Sequence, residues 1–156
     1  MPKVIAIDPG NTESAYVILE FYSPQNIKIL EKGKVSNMDL LMILNELDGG
    51  IDFAIEMVAS YGMAVGVSVF ETVFWIGRFW ECSLAGCKTK VYRKDVKINL
   101  CNSMKAKDSN ISQALKDRFG VVGTKKNQGY FYGFHDDIWS AFAVGVTYID
   151  KYYVAF

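Results

Sequence analysis

The apolar residues near the start of the chain are spaced as in β-strands. Residues 4–7 are a continuous, largely β-branched apolar run, and residues 15–22 and 27–35 are two further apolar stretches. Turn-forming residues bound each stretch, a pattern that predicts three strands. Because the connections between them are short, the strands are expected to form an antiparallel meander.

The rest of the chain alternates between helical and strand patterns. Leucines at helical spacing over residues 40–47 follow the capping residues 36–39 and predict an amphipathic helix that ends at Asp48-Gly49-Gly50. Further helices are predicted at residues 65–84, at 109–119 and from residue 134 onward, and strands at 51–57 and 88–92. Residues 120–133 are rich in Gly and Lys and are predicted to be flexible. A parallel crossover would place strand 51–57 beside strand 4–7.

These elements predict an α/β fold with a mixed five-stranded sheet, in which the meander is joined by parallel strands and flanked by helices. A chain of 156 residues, 51% of them apolar, is expected to form one domain over residues 1–156. No apolar run approaches the roughly 20 residues that span a bilayer, and the N-terminus lacks signal-peptide features. Three cysteines without Cys-x-x-Cys spacing and a single histidine do not match a zinc site and indicate free thiols in the cytoplasm.

Charge changes this picture because it is distributed unevenly. The formal net charge is zero, yet residues 88–126 contain eleven basic and only three acidic residues. Such asymmetry indicates an anionic partner, and nucleic acid is one, although a solvated helix face could carry part of it. The basic residues of this segment are Lys88, Lys90, Arg93, Lys94, Lys97, Lys105, Lys107, Lys116, Arg118, Lys125 and Lys126.

Four carboxylates are predicted to meet at one edge of the sheet. Asp8 ends the first strand before Pro9-Gly10, Glu56 interrupts an apolar strand, and Asp136 and Asp137 lie in the first turn of the last helix. Each also has an ordinary interpretation: Asp8 could start a turn, Glu56 could pair with a lysine, and acids stabilise helix N-termini. At about 4 Å two carboxylates repel by roughly 4 kcal/mol, which Mg²⁺ or Mn²⁺ would relieve. Two such ions beside basic residues would indicate a nuclease.

The sequence also resembles a known family. The segment Ile5-Ala6-Ile7-Asp8-Pro9-Gly10, the pair Ile55-Glu56 and the acid-led last helix are similar to motifs of the RuvC family of Holliday junction resolvases, specifically its bacteriophage branch. Val96-Lys97 and residues 106–109 resemble the two lysine-bearing segments of that family. The resemblance implies an RNase H-like fold, a homodimer, and Mg²⁺-dependent incision of branched DNA such as the Holliday junction, with no membrane or small-molecule cofactor.

Individual roles follow from this resemblance by position. It implies that Asp8, Glu56 and the Asp136-Asp137 pair are metal ligands, and that Lys97 and Lys107 contact the phosphodiester. The loop after Glu56 would touch the junction, with Tyr61 as the contacting residue. One departure stands out: the last helix of the family carries a second carboxylate where this chain has Ser140. The identity of the fourth ligand is therefore open.

Three further features leave alternatives open. Residues 65–84 carry more aromatic surface than one face of a small domain usually buries, so this helix could pack in the core or against a second subunit, where Gly77 would permit close approach. The segment from Asp8 to Ser14 also resembles the phosphate loop of actin-like ATPases, which however need two such domains. Two alternatives share the predicted fold: a branched-DNA-binding protein that has lost catalysis, and a nuclease that acts on other branched or flapped DNA or on RNA.

Overall fold

A mixed five-stranded sheet forms the centre of the computed structural model, which describes residues 1–154. The strands are β1 (Lys3–Asp8), β2 (Glu13–Ser23), β3 (Asn26–Ser36), β4 (Ile51–Met57) and β5 (Lys88–Tyr92). Their order is β3-β2-β1-β4-β5. Strands β1, β2 and β3 are antiparallel, whereas β4 and β5 run parallel to β1. The predicted meander, the parallel crossover and the mixed five-stranded sheet are thereby confirmed.

Helices cover both faces of the sheet. They are α1 (Asn37–Glu46), α2 (Val67–Cys82), α3 (Arg93–Cys101), α4 (Asp108–Phe119) and α5 (Ile138–Val154). Alternate residues of β1 point to opposite faces, as the period of a strand requires. Val4 and Ala6 join the core beneath α5, while Ile5 and Ile7 join the core beneath α1 and α2. The result is a three-layer α/β arrangement.

Helix α5 packs closely on the sheet through a small residue, Gly145. A Cβ at Gly145 would lie 2.7 Å from Leu19 Cδ1 and 3.1 Å from Ala6 Cβ. Glycine at this position therefore lets the helix backbone approach β1 and β2. This close approach fixes the start of α5, and the acids before it, relative to the end of β1.

Two local predictions were wrong, and one helix was not predicted. That helix, residues 93–101, was concealed by the basic sequence, because Val96 is its only fully buried side chain. Asp136 and Asp137 lie in the turn before α5, and the positive φ of 46° at Asp136 keeps it out of the helix. Residues 120–133 are not a loose connection, since Phe131 is fully buried in a cluster of aromatic rings.

A hydrogen-bonded clamp holds the turn after β1. Gly10 N donates to Ser14 Oγ at 3.1 Å, and Ser14 Oγ donates to Asn37 Oδ1 at 2.6 Å. Asn37 Nδ2 completes the ring by donating to the Gly10 carbonyl at 2.9 Å. Ser14 and Asn37 are buried. The clamp therefore attaches the turn that follows Asp8 to the first residue of α1.

Candidate active site

Two carboxylates lie side by side where β1 and β4 end. Ile7 pairs with Ile55 in the parallel register, so Asp8 and Glu56, the next residues along, occupy neighbouring strand positions. This is the carboxyl edge of the parallel strands, where open α/β sheets hold ligands. The Glu56 side chain is only 19% exposed. The apolar runs that made both strands buried thus also bring these two acids out of solvent.

Crowding of these acids changes their protonation. Burial, and next the carboxylates of Glu56 and Asp137, raise the pKa of Asp8 to about 8, although the Arg93 guanidinium opposes the shift. Burial likewise raises the pKa of Glu56, again against the effect of Arg93. The neighbouring Glu56 carboxylate thus favours the protonated form of Asp8. Near neutral pH, in the absence of other cations, Asp8 therefore keeps its proton.

Asp137 stands close to this pair without being buried. Its side chain is 53% exposed and forms an ion pair with Lys34, in which Nζ and Oδ2 are 3.1 Å apart. Its charge is felt by both Asp8 and Glu56. Asp136 is more exposed and lies 3.4 Å from the ring of His135, which is also exposed. Of the two predicted acids, Asp137 is the one whose charge reaches the buried pair.

Arg93 crosses the site from the start of α3. Its Nη1 lies 3.6 Å from Glu56 Oε1, and its Nη2 pairs with Asp108 at the start of α4. Two clefts open on either side of this guanidinium and have Arg93 in common. One, of about 210 Å³, is lined by Asp136, Asp137, Ser140 and Asp108 among others. The other, of about 170 Å³, is lined by Pro9, Glu56 and Tyr61 among others.

The other predicted DNA-binding residues divide into two groups. Lys107 and Lys105 are exposed beside the start of α4, and Lys94 and Lys97 lie on α3, the helix that begins at Arg93. Lys88 and Lys90 instead lie on β5 against α2. There Lys88 Nζ donates to the Trp80 carbonyl at 2.6 Å, and Lys90 Nζ lies 5.3 Å from the centre of the Trp80 indole.

The carboxylate oxygens of this site suit a hard divalent cation, but they are not arranged as a complete metal-binding site. Within residues 1–154, no group of three or more His, Cys, Asp and Glu residues is placed to hold a metal ion. Yet Glu56 Oε1 is buried and has no hydrogen-bond partner among the described residues. An orphaned carboxylate oxygen beside a second buried carboxyl fits an oxygen-seeking divalent cation. Asp8 and Glu56 would hold such an ion, and Asp137 is the nearest further ligand.

Sequence reasoning missed two residues of this site and one contact of a third. Arg93, which was predicted to bind DNA, also lies among the acids, because β5 ends at Tyr92 and α3 begins with no intervening loop. Lys34 reaches Asp137 from edge strand β3, a contact that no local pattern signals. Asp108, beside the predicted Lys107, could have been noticed as the acid that opens α4.

Comparison with known proteins gives a fold and no closer relationship. No family model matches the sequence, and no curated protein matches it. Among solved structures, Thermus thermophilus RuvC matches with a TM-score of 0.72 and 15% identity, covering 98% of this chain and 96% of that one. T. thermophilus RuvC in complex with a Holliday junction substrate matches with a TM-score of 0.69 and 13% identity, covering 99% and 97%. Within the part described, no helix is both long and apolar enough to cross a membrane. The chain has the RNase H-like fold of these RuvC structures.

Proposed function

We propose that this chain is a metal-dependent endodeoxyribonuclease that cuts four-way (Holliday) and other branched DNA. The observation that carries this proposal is the buried Asp8-Glu56 pair at the carboxyl edge of the parallel strands, with an orphaned oxygen on Glu56. Buried acids that repel one another persist where they serve a bound cation. The fold supports the choice of substrate, since one matching structure is a RuvC in complex with a Holliday junction substrate.

The roles of the acids follow from their positions. Asp8 and Glu56 would hold Mg²⁺, or Mn²⁺ in its place, and Asp137 would complete the ligand set after releasing Lys34, with Asp136 as a further acid at the same turn. Two ions per site are proposed. When bound, such ions acidify water and neutralise charge on a phosphodiester. The protein itself positions these carboxylates at the end of β1, on β4 and before α5.

Basic residues around the acids would hold the DNA backbone. Lys107 is exposed at the N-terminal end of α4, beside the 210 Å³ cleft, and is the proposed catalytic contact to the phosphate. Lys94, Lys97 and Lys105 would extend this contact, and Lys88 and Lys90 would contact DNA further away along β5. Tyr61, which is 64% exposed and lines the second cleft, is proposed to stack at the junction.

A homodimer formed through α2 is proposed as the active form. Val67, Phe70 and Phe74 of this helix are more than 60% exposed, and a Cβ at Gly77 would meet no other atom within 4 Å. Apolar patches of this kind mark protein interfaces. Two copies of one site would allow paired incisions in the two strands of a junction.

We propose a single domain over residues 1–156.

We also propose that the protein belongs to the bacteriophage branch, on the basis of the motif resemblance. The cysteines Cys82, Cys87 and Cys101 are all unpaired, which supports a reducing compartment, the cytoplasm of the host cell.

One observation favours a second candidate function. Ser140 lines the 210 Å³ cleft at the position where the resemblance implies a carboxylate. A chain that binds cations too weakly would bind branched DNA without cutting it. This second candidate shares the fold and the basic surface with the nuclease, so that only a cleavage assay separates the two.

Cleavage of a labelled four-way junction and of a matched linear duplex, each with Mg²⁺, Mn²⁺ or EDTA, tests the proposal. We expect symmetric nicks in the junction that require the metal. Asp8→Asn should abolish them and leave junction binding intact, because it removes a ligand and a negative charge near phosphate. Glu46→Gln, which neutralises an exposed carboxylate at the end of α1, is the matched control. Binding without cutting in either metal would establish the non-catalytic alternative.

A further inference from the structure

Arg93 occupies a position that would have to be vacant for the carboxylates to bind a divalent cation. Its Nη1 lies 3.6 Å from Glu56 Oε1, the same buried oxygen that lacks a hydrogen-bond partner. The distance between these two atoms is too long for a hydrogen bond. Even so, the guanidinium charge is one of the main influences on the pKa of Glu56. Arg93 thus supplies positive charge to Glu56 without satisfying its oxygen.

A divalent cation would replace this charge from a shorter distance. Mg²⁺ binds carboxylate oxygens at about 2.0–2.1 Å and Mn²⁺ has similar preferences. Because Coulomb energy scales with charge and inversely with distance, a doubly charged ion at that distance outcompetes a single charge at 3.6 Å. Bound cation and guanidinium also repel each other. Both effects would drive Arg93 away from Glu56 if such an ion were bound.

The contact of Arg93 with Asp108 indicates where the guanidinium would remain. Its second nitrogen pairs with Asp108, whose side chain is 83% exposed and therefore stays outside the buried pair. This contact keeps the guanidinium between the two clefts, both of which Arg93 lines. A guanidinium presents parallel N–H groups that match a phosphate group, which is why arginine suits phosphate binding.

We propose that Arg93 is an exchange residue: it pairs with Glu56 while no divalent cation is bound, and binds a DNA phosphate once the cation takes Glu56. This role deepens the proposed nuclease function and rests on it. Arg93 would then couple the two ligands of the site. Cation binding frees a phosphate-binding group, and phosphate binding removes a competitor of the cation. Because coupling is reciprocal, each ligand should raise the affinity for the other.

The decisive measurement is Mn²⁺ affinity of the full chain without DNA, followed by calorimetry or by electron paramagnetic resonance of free Mn²⁺. Arg93→Gln should bind Mn²⁺ at least about threefold more tightly than the unaltered chain, since a like charge beside the ligands is removed. Arg93→Lys, which keeps the charge, should stay near the original affinity. Arg118→Gln is the matched control, because Arg118 also pairs with a carboxylate, Asp150, toward the far end of α5.

A second readout follows the coupling itself. Junction affinity of the unaltered chain should rise on replacing EDTA with Ca²⁺, and this gain should shrink in Arg93→Gln but persist in Arg118→Gln. If Arg93 merely positions Glu56, Arg93→Gln would bind Mn²⁺ more weakly, and the exchange would be refuted. Unchanged Mn²⁺ affinity in a folded Arg93→Gln chain would refute it too. Absence of any Mn²⁺ binding by the unaltered chain would instead overturn the proposed nuclease function, and the exchange with it.

Discussion

The raised pKa of Asp8 makes folding stability depend on pH in a direction opposite to that of most acids. Its carboxyl has a pKa of about 8 in the folded chain and an ordinary value of 3.8. The folded chain therefore binds more protons than the unfolded chain between these two values, so the free energy of unfolding falls as pH rises. The stabilisation that this proton provides is fully present below about pH 4 and is lost as pH rises to about 8.

Asp8→Asn removes this dependence, because asparagine has nearly the same shape and carries no charge. The interval from 3.8 to about 8, at about 1.4 kcal/mol per pH unit, gives an upper bound of about 6 kcal/mol at alkaline pH. Residual structure and water entry in the folded chain reduce this figure, so we expect Asp8→Asn to gain about 2–4 kcal/mol over the original chain at pH 9. At pH 5 the two chains should differ by less than half of that gain.

Urea unfolding from pH 5 to 9 in EDTA measures this difference, with Glu46→Gln as the control for neutralising an exposed acid. The Asp8→Asn gain should grow steadily with pH, whereas the Glu46→Gln difference should stay nearly constant. Added Mg²⁺ should stabilise the original chain at pH 8 and not Asp8→Asn, since a ligand stabilises only the state that binds it. A gain independent of pH would refute the description of Asp8 as a buried acid crowded by Glu56.

Three further predictions concern other parts of the fold. Lys107→Ala should weaken junction binding and reduce the slope of log affinity against log salt by about one, as measured by a titration at several salt concentrations; an unchanged slope would remove Lys107 from the DNA contact. Gly145→Ala should cost about 1–3 kcal/mol in urea unfolding, because its Cβ would lie 2.7 Å from Leu19 Cδ1; a neutral result would mean that Leu19 moves aside freely. Phe74→Glu should leave the chain monomeric by light scattering while preserving its far-ultraviolet circular dichroism, and a persistent dimer would exclude this face of α2.

The sheet could be predicted from the sequence because its signals are local. The β-branched run of β1 and the period of β4 indicate strands whatever surrounds them, and the helix between β3 and β4 requires a parallel crossover. Helix α3 was missed because the contacts that stabilise it are not local in the sequence. Its residues are mostly polar, and the apolar contacts of Leu100 and Cys101 are supplied by distant elements.

The site could be predicted only in part. The nearness of Asp8 and Glu56 follows from strand order, which the sequence pattern indicates. The pairing of Lys34 with Asp137, and that of Arg93 with Glu56, join residues far apart in the chain and depend on how β3, β5 and α5 pack. The turn at Asp136 depends on a positive φ that aspartate adopts less readily than glycine. The spacing of apolar residues along the chain does not predict such contacts.

The hydrogen-bonded clamp around Gly10 has a consequence for the distance between the two sites of the proposed homodimer. Asn37 joins the turn after Asp8 to α1, and α1 packs against α2 in the core that both helices share. If two copies meet through α2, a continuous path of packed elements leads from one Asp8 to the other without a flexible loop. The distance between the two proposed cleavage sites would then be fixed by the rigid protein. A four-way junction would have to open or fold its arms to match that distance.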